Sequence, residues 1–162
     1  MTAGRNEGLP ERLHLLALGV LLHRPGVVAV GVDLACDLLV AGLDTPATVE
    51  VAGLRRDATL GDSEELLRSM LEEHGVQIPV PQTDADKFAA LRLAFGFLNL
   101  PVSEFEGPFY ERLPEWGEQD SLDRSLVILF DQRDHQADPV RQTEVEDRMR
   151  DAIREAEPRA AG

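Results

Sequence analysis

Apolar residues recur at helical spacing along most of the chain, and glycines and prolines supply the interruptions. From Pro10 to about His23, Leu13, Leu16, Ala17, Val20 and Leu21 fall on one side, with Leu15, Leu18 and Leu22 widening the stripe. The pattern predicts a helix buried on more than one face, ended by Arg24-Pro25-Gly26. The run VVAVGV, residues 27–32, points both ways: its four valines favour a strand, while the continuation into Leu34, Ala35, Leu38 and Leu39 favours a helix from about residue 27 or 28. Gly42 supplies the left-handed conformation that ends a helix. Thr45 can then accept a bond from an orphan amide, with Pro46 at the first helical position and Gly53 closing a helix of about two turns.

Beyond a loop at LRRDATLG, Asp62 and Glu65 have the spacing of a capping box before Leu66, Leu67, Met70 and Leu71. Gly75 stops that helix ahead of Pro79 and Pro81. PVPQTDAD marks a boundary between an N-terminal helical module, residues 1–80, and an acidic helical half, residues 81–162, packed as one globular unit. Thr83 or Asp84 caps the next helix, whose stripe of Phe88, Leu91, Phe95 and Leu98 predicts a central core element; Asn99 and Pro101 stop it. In residues 103–123, two glycines and two prolines argue against a long helix. SLVILF, residues 125–130, fits a short buried strand or the middle of a helix. Asp138 as cap and Pro139 at the first position open a last helix to about Ala156, with Val145, Met149, Ala152, Ile153 and Ala156 inward and Glu144–Arg148 and Glu146–Arg150 as surface pairs. The fold class expected is mostly α: a compact bundle of about five to seven helices, with one short strand near residues 125–130 left open.

Composition supports this reading. Apolar residues are 43% of the 162, mainly Leu, Val and Ala with few aromatics, a mix that suits helices better than a β-sandwich. Charge sharpens it. Residues 1–60 carry 5 basic and 7 acidic side chains, a net of −2, and residues 61–162 carry 11 and 23, a net of −12. Such a field repels phosphate backbones and anionic membrane surfaces and attracts a basic protein. No stretch approaches the roughly 18 apolar residues of a membrane span, and MTAGRNEGLPER lacks the order of a signal peptide. Cys36 is the single cysteine, so no intrachain disulfide can form, and a reducing, cytoplasmic setting is expected.

The densest chemistry lies in residues 103–123, which hold four of the eight aromatic residues and seven acidic side chains against one basic. Rings among carboxylates suit a hot-spot patch for a basic protein, and Phe105, Glu106, Phe109, Tyr110, Glu115, Trp116 and Glu118 are the partner-binding candidates. The competing reading makes Phe105, Phe109 and Trp116 anchors of a loop on the core. In DQRDHQAD, the residue types Asp131, Asp134, His135 and Asp138 suit a divalent metal, against a solvated turn before the last helix. Cys36 fits a small buried hydrophobe better than a nucleophile assisted by His14, His23 or His74. The helix, turn and short helix of residues 31–54 invite a DNA-binding reading, but TPATVEVAG offers only Thr45, Thr48 and Glu50, with Arg55 and Arg56 beyond.

CDLLVAGLDTPATVEVAGL, followed by a short acidic helix and GVQIP, resembles a recurring segment of small actinobacterial proteins with a leucine-rich helix, a G-x-D-[TS]-P turn and an A-G-L ending. The likeness covers about residues 29–80; it implies a helical module and no activity. The function expected is that of a non-catalytic acidic module, of immunity, antitoxin or regulatory type, that recognises a basic protein without a cofactor. A metal-dependent enzyme using Asp131–Asp138 is the alternative, and a helix–turn–helix regulator ranks below it. Neither nucleic acid nor membrane is an expected partner, and the sequence leaves a homodimer open.

Overall fold

A computed structural model of the protein describes residues 8–78, 80–112 and 121–156. Among them run eight helices: α1 (Leu9–Leu21), α2 (Val27–Val40), α3 (Pro46–Ala52), α4 (Leu60–Glu73), α5 (Asp84–Phe97), α6 (Val102–Arg112), α7 (Ser121–Asp134) and α8 (Pro139–Ala156). The count exceeds the expected five to seven, and no described residue lies in a strand. The chain divides into two compact units, one ending at Val80 and the next beginning at Pro81. Residues 1–80 hold 12 acidic and 6 basic side chains and residues 81–162 hold 18 and 10, nets of −6 and −8. The acidic excess that a cut at residue 60 gives to the second part is therefore shared by both units.

In the first unit α1, α2 and α4 pack on one another, and α3 bridges α2 and α4. Leu16, Val20, Leu34, Leu38, Val51, Leu67, Met70 and Leu71 form its core. VVAVGV resolves as helix from Val27, because Val27, Val28, Gly31 and Val32 sit on the buried face and their packing outweighs the β preference of valine. A Cβ on Gly31 would lie 2.6 Å from Leu67 Cδ2, so the missing side chain sets how closely α2 and α4 approach. The ends of α1, α2 and α4 share one solution. The amides of Arg24, Leu43 and Val76 reach back to Gly19, Leu38 and Leu71 carbonyls, and the intervening residue is left-handed. That residue is glycine at 42 and 75 but His23, with φ 49°, after α1.

Three local expectations for this unit need correction. Thr45 precedes α3 in extended conformation without capping it: its hydroxyl pairs with Thr48 Oγ1 at 2.6 Å. The orphan amide of Ala47 donates instead to the Glu73 carboxylate, at 3.0 Å to Oε2, from the end of α4. Gly53 ends α3 at φ −86°, which is not left-handed. The cap of α4 is Thr59, one turn earlier than Asp62: it accepts the Asp62 amide, and the helix opens at Leu60.

In the second unit α5 packs on α6 and α8, and α7 packs on α8. Thr83 and Asp86 close a reciprocal capping box at the start of α5. Phe105 of α6 stacks on Phe95 at 4.7 Å between centroids and lies 5.6 Å from Phe109, 5.9 Å from Phe88 and 6.1 Å from Phe130. Residues 102–112 are thus a helix despite Gly107 and Pro108. An interior proline costs about 3 kcal/mol. Burying two phenylalanines contributes about 1.5–3 kcal/mol each, enough to offset it. Residues 125–130 are helix for a reason visible in their burial. Leu126 and Phe130 point inward while Ile128 is exposed, an i,i+4 pattern that an alternating strand cannot give.

The last turn of α5 and the segment just after it are capped from α8. Arg154 Nε donates to the Gly96 carbonyl at 2.6 Å, and Arg150 Nη2 to that of Leu100 at 3.2 Å while lying over the Phe95 ring. Asp138 accepts the Val140 amide as the cap of α8. Arg150 pairs with Asp147, and Glu146 is taken by Arg133 at 2.8 Å, so the expected Glu146–Arg150 pair gives way to tertiary contacts. Arg92 and Asp123 form a buried pair at 2.9 Å, with side chains only 10% and 4% exposed, between α5 and α7.

Two stability outcomes follow from these packing arguments. Removing one partner of the buried pair, in Asp123→Ala, should cost about 3–5 kcal/mol, whereas the double substitution Arg92→Met with Asp123→Leu should cost far less; urea unfolding of the three proteins checks this. His23→Gly should stabilise by about 0.5–1 kcal/mol, read as a higher urea midpoint, by relieving the left-handed strain.

Candidate partner-binding surface

The structure sorts the expected partner-binding residues into two sets. Phe105 and Phe109 are fully buried in the ring cluster and present nothing to a partner. Tyr110, next in sequence, turns outward and is 39% exposed, with its ring 5.6 Å from Phe109 and 5.4 Å from Phe130. Glu106, one turn earlier on α6, is half-buried with Arg133 Nη1 at 3.8 Å. Glu115, Trp116 and Glu118 lie outside the described residues.

Helix α7 brings Asp131 and Asp134 to this same ring. The Tyr110 phenol is held above its ordinary range first by burial and then by the charges of Asp134, Glu106 and Asp131, with Arg133 opposing. Each carboxylate raises the cost of forming a phenolate, so the charge contribution to the shift, secondary to burial, reports a negative potential at the hydroxyl. Arg133 ties the patch together: it donates to Glu146 on α8 and lies within ion-pair distance of Glu106 and Asp134. Its hydrogen bond to Glu146 is the largest cause of its raised pKa. The ring is rigidly backed by buried phenylalanines and rimmed by acids on two helices.

Asp131, Asp134, His135 and Asp138 do not converge. His135 Nδ1 donates to the Asp131 carbonyl at 2.8 Å, and the Asp131 carboxylate stands 3.4 Å away. Asp138 is occupied as the cap of α8, and Asp134 faces Arg133. Among the described residues no three His, Cys, Asp or Glu side chains gather where an ion could bind. Sequence spacing placed these acids in one group. Their partnership with Tyr110 becomes visible only once α7 is a helix, because Phe130 under the ring fixes where Asp131 and Asp134 fall.

The first unit carries other candidates. Cys36 is exposed on α2, contrary to the expectation of a buried side chain, because the burial of Leu34, Ala35 and Leu38 turns position 36 outward. His14 bonds the Pro10 carbonyl. Thr48 is buried and bonds His74 Nε2 at 2.7 Å, which places it out of reach of any external group. For the DNA-binding reading, Arg55 pairs with Asp57 and Arg56 with Asp33, and α3 is only 7 residues long. A cleft of about 370 Å³ between the starts of α2 and α4 is lined by His23, Arg24, Val27, Arg56, Thr59 and Leu60 and contains no nucleophile and base in contact.

No family model matches the chain, and neither the curated proteins nor the solved structures contain a match to it. No described helix is long and apolar enough to cross a membrane.

The electrostatics around α7 are testable at one side chain. The His135 imidazole is held above 6.5 first by its bond to the Asp131 carbonyl and then by the Asp131 and Asp134 charges, so its protonated form is favoured. An NMR titration should therefore place the His135 midpoint above 6.5, and Asp131→Asn should lower it part of the way, since the carbonyl bond survives the substitution. A midpoint below 6.5 would contradict the geometry.

Proposed function

We propose that the protein is a non-catalytic, acidic protein-binding module of the immunity, antitoxin or regulatory type, and that the surface formed by α6 and α7 receives a basic partner. The observation that carries this reading is the Tyr110 ring, exposed on a base of buried phenylalanines and set in the field of Glu106, Asp131 and Asp134. A half-exposed tyrosine with a fixed base offers contact area at small entropic cost, and it attracts a guanidinium or ammonium by its ring face and its acidic rim together. The chain's formal charge of −14 supports long-range steering of such a partner. The metal-dependent alternative draws less support, since Asp134 and Asp138 already have partners within the protein.

Titration calorimetry with an arginine-rich peptide tests the surface. Binding should weaken steeply with salt, and Tyr110→Ala should weaken it at least about tenfold while the circular dichroism stays native. Binding that is indifferent to both Tyr110→Ala and the pair Glu106→Gln with Asp134→Asn would count against this surface.

A further inference from the structure

We infer that the corner where α2, α3 and α4 meet is a separate docking surface, shaped for a cationic amphipathic helix of a partner protein. This inference does not rest on the α6–α7 reading. Of the eight large hydrophobic side chains that are exposed among the described residues, three fall within ten positions here: Val40 at 72% exposure, Leu43 at 45% and Val49 at 52%. Val40 ends α2, Leu43 lies just past its glycine stop, and Val49 faces outward from α3 one turn after the exposed Pro46. Apolar surface grouped in this way marks an interaction site more often than single exposed residues do.

The segment that carries these groups is acidic. No basic side chain occurs between Leu38 and Leu54, while Asp44 and Glu50 are exposed among the apolar groups. The last turns of α2 and α4 contain no basic residue, so the negative ends of both helices are left uncompensated by their own side chains. The end of α4 meets the start of α3, shortly after the end of α2: Glu73, in the last turn of α4, bonds the Ala47 amide, and His74 bonds Thr48, seven and eight residues beyond Val40. Glu72 stands exposed beside them.

Rigidity completes the case. Glycine stops at 42 and 75, the Glu73–Ala47 bond and the Thr45–Thr48–His74 chain fix the backbone before any partner arrives, which lowers the entropic cost of docking. Apolar groups ringed by carboxylates and helix C-termini complement leucine-like anchors flanked by lysine or arginine. A second copy of this chain is disfavoured as occupant, since twofold pairing of the patch would set Asp44, Glu50 and Glu72 against their own kind. Anionic lipid and nucleic acid are disfavoured by the same charge.

The test uses the full chain, labelled with ¹⁵N, titrated with a synthetic amphipathic helical peptide of leucine and lysine. Amides of residues 40–50 and 72–75 should shift, Val49→Ser should weaken binding several-fold, and Asp44→Lys with Glu50→Lys at least about tenfold. A peptide of the same pattern with glutamate in place of lysine should leave the spectrum unchanged. The inference is overturned if shifts are confined to α6 and α7, if the variants bind as well as the native protein, or if the glutamate peptide binds equally. A dimer in sedimentation that Val49→Ser dissociates would assign the patch to self-association instead. Loss of binding in Tyr110→Ala alone rejects this corner and keeps the other surface, and the reverse pattern rejects the other surface and keeps this one.

Discussion

The second unit depends on Phe105. Its ring meets Phe88 and Phe95 from α5, Phe109 from its own helix and Phe130 from α7, so one side chain joins three helices. That burial draws residues 102–112 into a helix against the local opposition of Gly107 and Pro108. It also decides what remains for recognition. With Phe105 and Phe109 inside, the helical register turns Tyr110 outward, and Phe130 beneath it positions Asp131 and Asp134 beside the phenol. Core and candidate surface are consequences of the same packing.

Arginine is the main cation of the chain, with 15 copies. In the second unit several of them serve the structure. Arg92 is buried against Asp123, Arg133 joins α7 to Glu146 of α8, and Arg154 and Arg150 donate to carbonyls in the last turn of α5 and just beyond it. A planar guanidinium suits these roles because it satisfies several acceptors at once while its stem packs on rings. Arg133, Arg150 and Arg154 also pair with Glu106, Asp147 and Asp151, so part of the acidic surface is balanced locally.

How much of this could be read from the sequence follows from whether each cause was local. Gly42 and Gly75 as left-handed stops, Pro46 and Pro139 at first positions, Thr83 and Asp138 as caps act within a few residues, and each appears in the structure. Where the partner was distant, local rules misled. The amide assigned to Thr45 went to Glu73, 26 residues from Ala47; the valines at 27–32 became helix because α1 and α4 cover them; α6 formed because Phe105 found rings on two other helices. The candidate surface was half legible: Glu106 and Tyr110 were singled out with the buried Phe105 and Phe109, while Asp131 and Asp134 were grouped as metal ligands. An i,i+4 reading of Leu126 and Phe130 was the signal that could have joined them.

The claim that α6 is held as a packed helix by the Phe105 cluster, and thereby presents Tyr110, is tested most directly by amide hydrogen exchange. If it holds, the Phe109 and Tyr110 amides, four residues beyond Phe105 and its neighbour on α6, are protected to the same degree as those of Leu126–Phe130 and lose protection together with them in Phe105→Ala. Exchange at the rate of an unstructured chain in the native protein, with Leu126–Phe130 still protected, would contradict it.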